Sequence, residues 1–118
     1  MLKLYSYVMI ACMLVSCATQ EITKLSEQSY KIEGRLHKEE YDEIISIVKQ
    51  HPNQPLNFYV NSIGGTSEDL IDAMDTVYQH GLVNWYAVEH CDSACAIMAL
   101  ATRHAHGEFK LHSFYSHR

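Results

Sequence analysis

Long apolar runs are missing from this sequence of 118 residues. The runs Val8 to Val15 and Ala94 to Ala101 fall well short of the ~20 apolar residues that a membrane-crossing helix needs, so neither is expected to span a bilayer as a finished helix. Basic charge is scarce as well: 9 Lys and Arg stand against 14 Asp and Glu, for a formal net charge of −5. Nucleic-acid binders draw affinity from basic side chains on phosphates, so nucleic acid is not expected as a partner. No phosphate-binding loop of the Gly-rich, lysine-bearing kind is present, which argues against a nucleotide site of that kind in this chain. Repeats and low-complexity tracts are also lacking. A chain of this length has room for one small domain with a modest folding margin.

What the N-terminus does contain is an export pattern. Lys3 is the only charge before a short apolar core, and small Ser16 precedes Cys17, the arrangement of a signal segment over residues 1–16. Leu14-Val15-Ser16-Cys17 resembles the bacterial lipobox, in which cleavage leaves an acylated cysteine as the first mature residue. Acyl chains bury about 0.8 kcal/mol per methylene, so lipidated Cys17 is expected to hold the domain at a membrane surface of the cell envelope. With Ala18 next, lipoprotein sorting rules point to the periplasmic side of the outer membrane in a Gram-negative cell. Residues 17–28, polar and without periodicity, read as a tether.

Residues 29–118 carry the folding signals. Ser29 to Glu33 alternates as a strand, and Tyr41, Ile44, Ile45 and Val48 mark one face of a helix over residues 38–50 that Pro52 and Pro55 terminate. Leu56 to Asn61 is the clearest strand. After Gly64-Gly65, Thr66 can cap a helix whose inner face is Leu70, Met74, Val77 and Tyr78, with Gly81 as its stop. Leu82 to Val88 forms a third strand, Ser93 to Ala101 a third helix, and Glu108 to His112 a fourth strand. Tyr78, Trp85 and Tyr86 read as core aromatics. Alternating β and α predicts an α/β domain with a mostly parallel sheet and right-handed crossovers. Ligands in such sheets sit beyond the carboxyl ends of the strands, where Gly64-Gly65, Ser93 and His112 all fall.

Ser93 lies in Cys91-Asp92-Ser93-Ala94-Cys95 at a strand-to-helix turn, and His112 closes the next expected strand. A serine hydroxyl becomes a nucleophile when a base takes its proton, and His112 is placed to be that base. Main-chain N–H groups at the Gly-Gly turn are placed to face an oxyanion. The order strand, Asn61-Ser62-Ile63-Gly64-Gly65, helix, strand, Cys91-Asp92-Ser93-Ala94-Cys95, helix, strand, Leu111-His112-Ser113 resembles the ClpP/crotonase superfamily, the ClpP-like serine proteases in particular, over roughly Tyr30 to Ser113. That resemblance implies a ClpP/crotonase-like fold with Ser93 as nucleophile, His112 as base, and Gly65 and Ala94 as oxyanion-hole donors. It also implies peptide-bond hydrolysis on a peptide or protein substrate, with no cofactor and with homo-oligomers possible.

Three positions depart from the family pattern. The third catalytic residue, an aspartate well beyond the histidine, has no counterpart before Arg118, so the C-terminal part of the fold is expected to be missing. The spacing from Ser93 to His112 is a few residues short, and Ile63 stands where the family generally has proline. A second reading follows, of a catalytically inactive ClpP-like lipoprotein acting as a peptide-binding or structural module. Among the 4 cysteines, Cys91 and Cys95 are expected as two small packed thiols, with a bridge as the second alternative, since the ~6 Å Cα separation of i and i+4 on a helix is within disulfide reach but in poor geometry. The cluster of His104, His106, His112 and His117 near these thiols matches no compact zinc motif, so no metal is expected. Asp92, beside Ser93, is expected to cap the third helix.

Overall fold

Alternating burial along each strand sets the architecture. In Leu56–Ser62 the side chains of Leu56, Phe58 and Val60 are buried while Asn57, Tyr59 and Asn61 are half-exposed, the pattern of a sheet covered on one face. The computed structural model describes residues 22–111, and in it the elements run β1 Ile22–Ser26, β2 Ser29–Glu33, α1 Lys38–Gln50, β3 Leu56–Ser62, α2 Leu70–His80, β4 Val83–Cys91, α3 Ala94–Ala99 and β5 His104–His106. The sheet order is β1-β2-β3-β4-β5, with β1 antiparallel to β2 and every other pair parallel. The expected α/β domain with a mostly parallel sheet is what forms.

Each parallel crossover advances one strand in the same direction, so right-handed connections collect α1, α2 and α3 on one face of the sheet. There the core assembles from Tyr30, Ile32, Phe58, Val60 and Trp85 of the strands with Tyr41, Ile44, Val48, Leu70, Val77 and Met98 of the helices. Phe58 sits between Tyr30 and Trp85, with ring centroids 5.8 and 5.7 Å away. The opposite face carries the in-register row Lys31, Tyr59, Tyr86 and His106. Its Tyr59–Tyr86 and Tyr86–His106 rings stack with centroids 4.9 Å apart.

Helix α1 begins where His37 donates its N–H to Glu40 Oε1 at 2.7 Å, a carboxylate closing the first turn as in a capping box. Its expected inner face holds, except that Ile47 is buried where Ile45 was expected to be, and Ile45 is half-buried. In α2 the inner face is Leu70, Ala73 and Val77, while Tyr78 is 69% exposed and not a core aromatic. Helix α2 also starts at Leu70, later than a Thr66 cap allows. The Thr66 N–H is taken by the Leu36 carbonyl at 2.9 Å, so residues 64–66 continue the sheet before the chain can turn helical.

Two strand assignments shift. Residues 22–26, expected in the tether, form β1, which pairs Ile22 with Ile32 and Lys24 with Tyr30. Only Ile22 of this edge strand points inward, so no apolar alternation announced it. The last strand is His104–His106 rather than Glu108 to His112. Arg103 N–H bonds Val83 O at 2.9 Å and fixes the earlier register, while the alternation of Phe109 and Leu111 serves a different pairing in which Lys110 bridges Asp92. Cys17 and His112 lie outside the described residues.

Because Phe58 is fully buried between two rings, Phe58→Ala is expected to cost about 3–5 kcal/mol by urea denaturation. On the open face, Tyr59→Ala should cost roughly 1 kcal/mol or less, the value of a partly exposed cross-strand pair.

Candidate active site

A bulge in β4 starts the site. Val60 pairs with Ala87, but the next pair along the two strands is Ser62 with Cys91, so β4 carries extra residues that leave Val88, Glu89 and His90 exposed. Asn61 fastens this bulge, donating Nδ2–H to Glu89 Oε2 at 3.1 Å and accepting the His90 N–H on Oδ1 at 3.1 Å. The Asp92 N–H then donates to Ser62 O at 3.0 Å. Cys91 therefore arrives level with the end of β3, and the turn into α3 begins beside the Gly-Gly turn.

At that turn Ser93 has φ 55° and ψ −120°, a backbone conformation that side-chain-bearing residues adopt only at a cost of about 1–3 kcal/mol. Its N–H donates to Lys110 O at 2.7 Å and its carbonyl accepts the Ile97 N–H at 3.0 Å. Ser93 holds the N-cap position of α3 without a side-chain cap bond, and its hydroxyl has no partner among the described residues. The Asp92 side chain does not cap the helix either; its main-chain carbonyl accepts the Cys95 N–H at 3.1 Å instead.

The glycines are there because two main chains meet. Gly64 has φ 106°, and a Cβ on it would stand 2.9 Å from both Asp92 O and Ser93 Cβ and 3.2 Å from the Ala94 nitrogen. A Cβ on Gly65 would overlap the Leu36 carbonyl, because Leu36 pairs along this turn, donating its N–H to Gly64 O at 2.9 Å. Buried Ser62 accepts the Gly64 N–H on Oγ at 3.1 Å. The neighbouring Gly65 N–H and the Ala94 N–H donate to no described residue, which leaves both open at the same junction.

Tyr41 supports the junction from behind, donating its hydroxyl hydrogen to Thr66 O at 2.9 Å. Burial, and then the adjacent Glu40 carboxylate, push the Tyr41 phenol up to about 12, so it remains a neutral donor throughout the physiological range. Leu36 and Lys110 are not singled out by sequence, Tyr41 reads only as part of a helix face and Ser62 only as part of the Asn61–Gly65 motif. All four act through the main chain or a single hydroxyl, and no residue-type pattern marks such roles.

Cys91 and Cys95 form a disulfide, against the expectation of two packed thiols. Cys91 belongs to β4 and not to the helix, so the i to i+4 helical separation does not apply; the Cα atoms approach to 5.0 Å, within the ordinary range for a bridge. Both sulfurs are thereby withdrawn from any metal-ligand set. Among the described residues no three His, Cys, Asp or Glu side chains gather as a metal site. A hollow of about 490 Å³ lined by Val48, Pro52, Asp75 and His80 lies where α1 and α2 end, at the other end of the strands from Ser93.

Of the expected site residues, Ser93, Gly65 and Ala94 come together. His112 falls beyond the described residues, two positions after Lys110, whose carbonyl holds the Ser93 N–H. The fold is ClpP-like: a solved mutant form of ClpP1 from Listeria monocytogenes superposes with a TM-score of 0.50 at 20% sequence identity, over 64% of this chain and 47% of that one. The chain thus spans about half the length of that solved protein. No family model matches the sequence, and no curated protein matches it significantly.

Gly64 and Gly81 both have positive φ, but a Cβ on Gly81 would meet nothing within 4 Å. Gly81→Ala is therefore expected to cost only the backbone strain, about 1–2 kcal/mol. Gly64→Ala should cost at least about 2 kcal/mol more, through overlap with Ser93, when the two are compared by urea denaturation.

Proposed function

We propose that this chain is a ClpP-like serine peptidase domain in which Ser93 attacks a peptide carbonyl. The observation that carries the reading is the unused chemistry of the Ser93 turn. A serine at a helix N-cap ordinarily spends its hydroxyl on the helix; among the described residues this hydroxyl and the following N–H have no partner, and the N–H of Gly65 beside them has none either. In the proposed step the Ser93 oxygen bonds to the substrate carbonyl carbon while His112 takes the hydroxyl proton. Negative charge gathers on the carbonyl oxygen, where the Gly65 and Ala94 N–H groups supply two donors. His112 returns the proton to the leaving amine, and water completes the cycle on the acyl-serine.

The same reading places the domain at a membrane surface through lipidated Cys17. Since β1 begins at Ile22, the tether shortens to a few residues, a reach of roughly 17 Å, and it leaves from the sheet edge at β1. Among the described residues no helix is long and apolar enough to cross a membrane.

A fluorophosphonate probe is expected to label the full chain and to lose all labelling in Ser93→Ala, with His112→Ala slowed by about 10²–10⁴-fold. Absence of labelling in a folded protein would favour the non-catalytic, peptide-binding alternative. For the anchor, Cys17→Ser should abolish palmitate incorporation and release the protein from the membrane fraction; unchanged partitioning would remove the lipid from the reading.

A further inference from the structure

The Cys91–Cys95 disulfide encloses Ser93. Cys91 is the last residue of β4 and Cys95 the second of α3, so the bridge spans a sequence separation of 4 with Ser93 at its centre. Both cysteines are 0% exposed. So short a loop removes less entropy from the unfolded chain than a long one would, so the bridge does least as a global staple. Its effect is local, and what it encloses is the residue with φ 55° and ψ −120°.

The elements around that turn are poorly equipped to hold it alone. Helix α3 has 6 residues, too few to be self-sustaining. β4 has already left regular pairing at the bulge before Cys91. Single hydrogen bonds from Asp92, Ser93 and Cys95 fix the remaining backbone, and Ser93 gains by relaxing to an ordinary φ once the two ends can move apart. Such relaxation would also shift the Ala94 nitrogen, which now packs so closely on Gly64 that a Cβ there would stand 3.2 Å from it.

We infer that Cys91 and Cys95 are positioning residues of the Ser93 site: their oxidation installs the nucleophile conformation, and a chain folded with two thiols is a folded but idle form. The inference rests on Ser93 being the nucleophile. In the chemistry involved, the two thiols lose two protons and two electrons to a disulfide of the thiol-oxidant class, such as oxidised glutathione, as the Cys91–Cys95 bond forms. A dithiol reverses it, becoming a disulfide itself.

The test uses the full chain prepared in three forms: folded with oxidised glutathione, folded in a dithiol, and as the Cys91→Ala/Cys95→Ala double variant. Peptide mapping after alkylation should find the two cysteines bridged in the first form, and far-ultraviolet circular dichroism should report a folded chain in all three. Fluorophosphonate labelling is expected to be at least 10-fold slower in the dithiol form and the double variant. The loss should fall on the maximal labelling rate and not on the half-saturating probe concentration, and reoxidation should restore the wild type but not the variant. In parallel, amide hydrogen exchange should quicken over residues 92–97 in the thiol forms with β2, β3 and α1 unchanged. Equal labelling rates in all forms would overturn the inference while leaving Ser93 as nucleophile. If no form labels, the exchange result decides: local quickening upholds the clamp and defeats the peptidase reading, whereas unchanged exchange, or free thiols in the oxidised form, defeats the clamp.

Discussion

Two main-chain turns in van der Waals contact set the terms for everything else. The Gly64-Gly65 turn after β3 and the Asp92-Ser93-Ala94 turn after β4 approach so closely that no side chain fits between them. Leu36, leaving β2, closes the same space from the other side. Three consecutive parallel strands therefore end in one joint, and the details upstream follow from it. β4 must bulge to bring Cys91 level with Ser62, Asn61 must hold that bulge, and Ser62 must take up the Gly64 N–H that the turn would otherwise bury unpaired.

How much of this could be read from the sequence divides along physical lines. Strands β2, β3 and β4 and helix α1 were legible because each buries one face, and burial writes a period into the residues. Edge elements write no such period. β1 buries only Ile22, and β5 exposes all three of its residues, so one was missed and the other misplaced. The start of α2 was misplaced for another reason: Thr66 looks like a cap but is held in the sheet by Leu36, a tertiary contact that outweighs local preference. At the site, residues with distinctive chemistry were legible, namely Ser93, Gly65 and Ala94 within their motifs. The supports were not, since Leu36 and Lys110 act through carbonyls that every residue possesses. The disulfide was disfavoured by measuring Cys91 to Cys95 with helical spacing, although Cys91 ends a strand.

The sheet itself departs from the common habit of parallel sheets, which are usually covered on both faces and read as unbroken apolar runs. Here the strands advance without reversal, the helices share one side, and the other side is a ladder of Lys31, Tyr59, Tyr86 and His106 beside the hydrogen-bonded Asn57 and Asn84. That face pairs laterally, ring on ring and amide on amide, with Asn84 Oδ1 left buried and without a partner among the described residues. An absent reversal also means that the site does not arise at a switch in strand order. The bulge in β4 instead offsets the ends of β3 and β4, bringing Cys91 level with Ser62 at the carboxyl ends of the strands.

Backbone strain at Ser93 is the most telling feature of the joint. The ordinary way to stabilise a helix start is to spend a serine hydroxyl on the first turn, worth about 1 kcal/mol, in a conformation that costs nothing. This chain forgoes the cap and accepts a positive φ as well. Glycine at position 93 would relieve the strain, and aspartate or asparagine would cap the helix; serine as it stands does neither. What the arrangement retains, among the described residues, is a hydroxyl and an N–H without partners at the turn that packs on Gly64, next to the N–H of Gly65. Among the described residues these three groups have no hydrogen-bond partner, and the backbone cost of a positive φ falls at the turn where they meet.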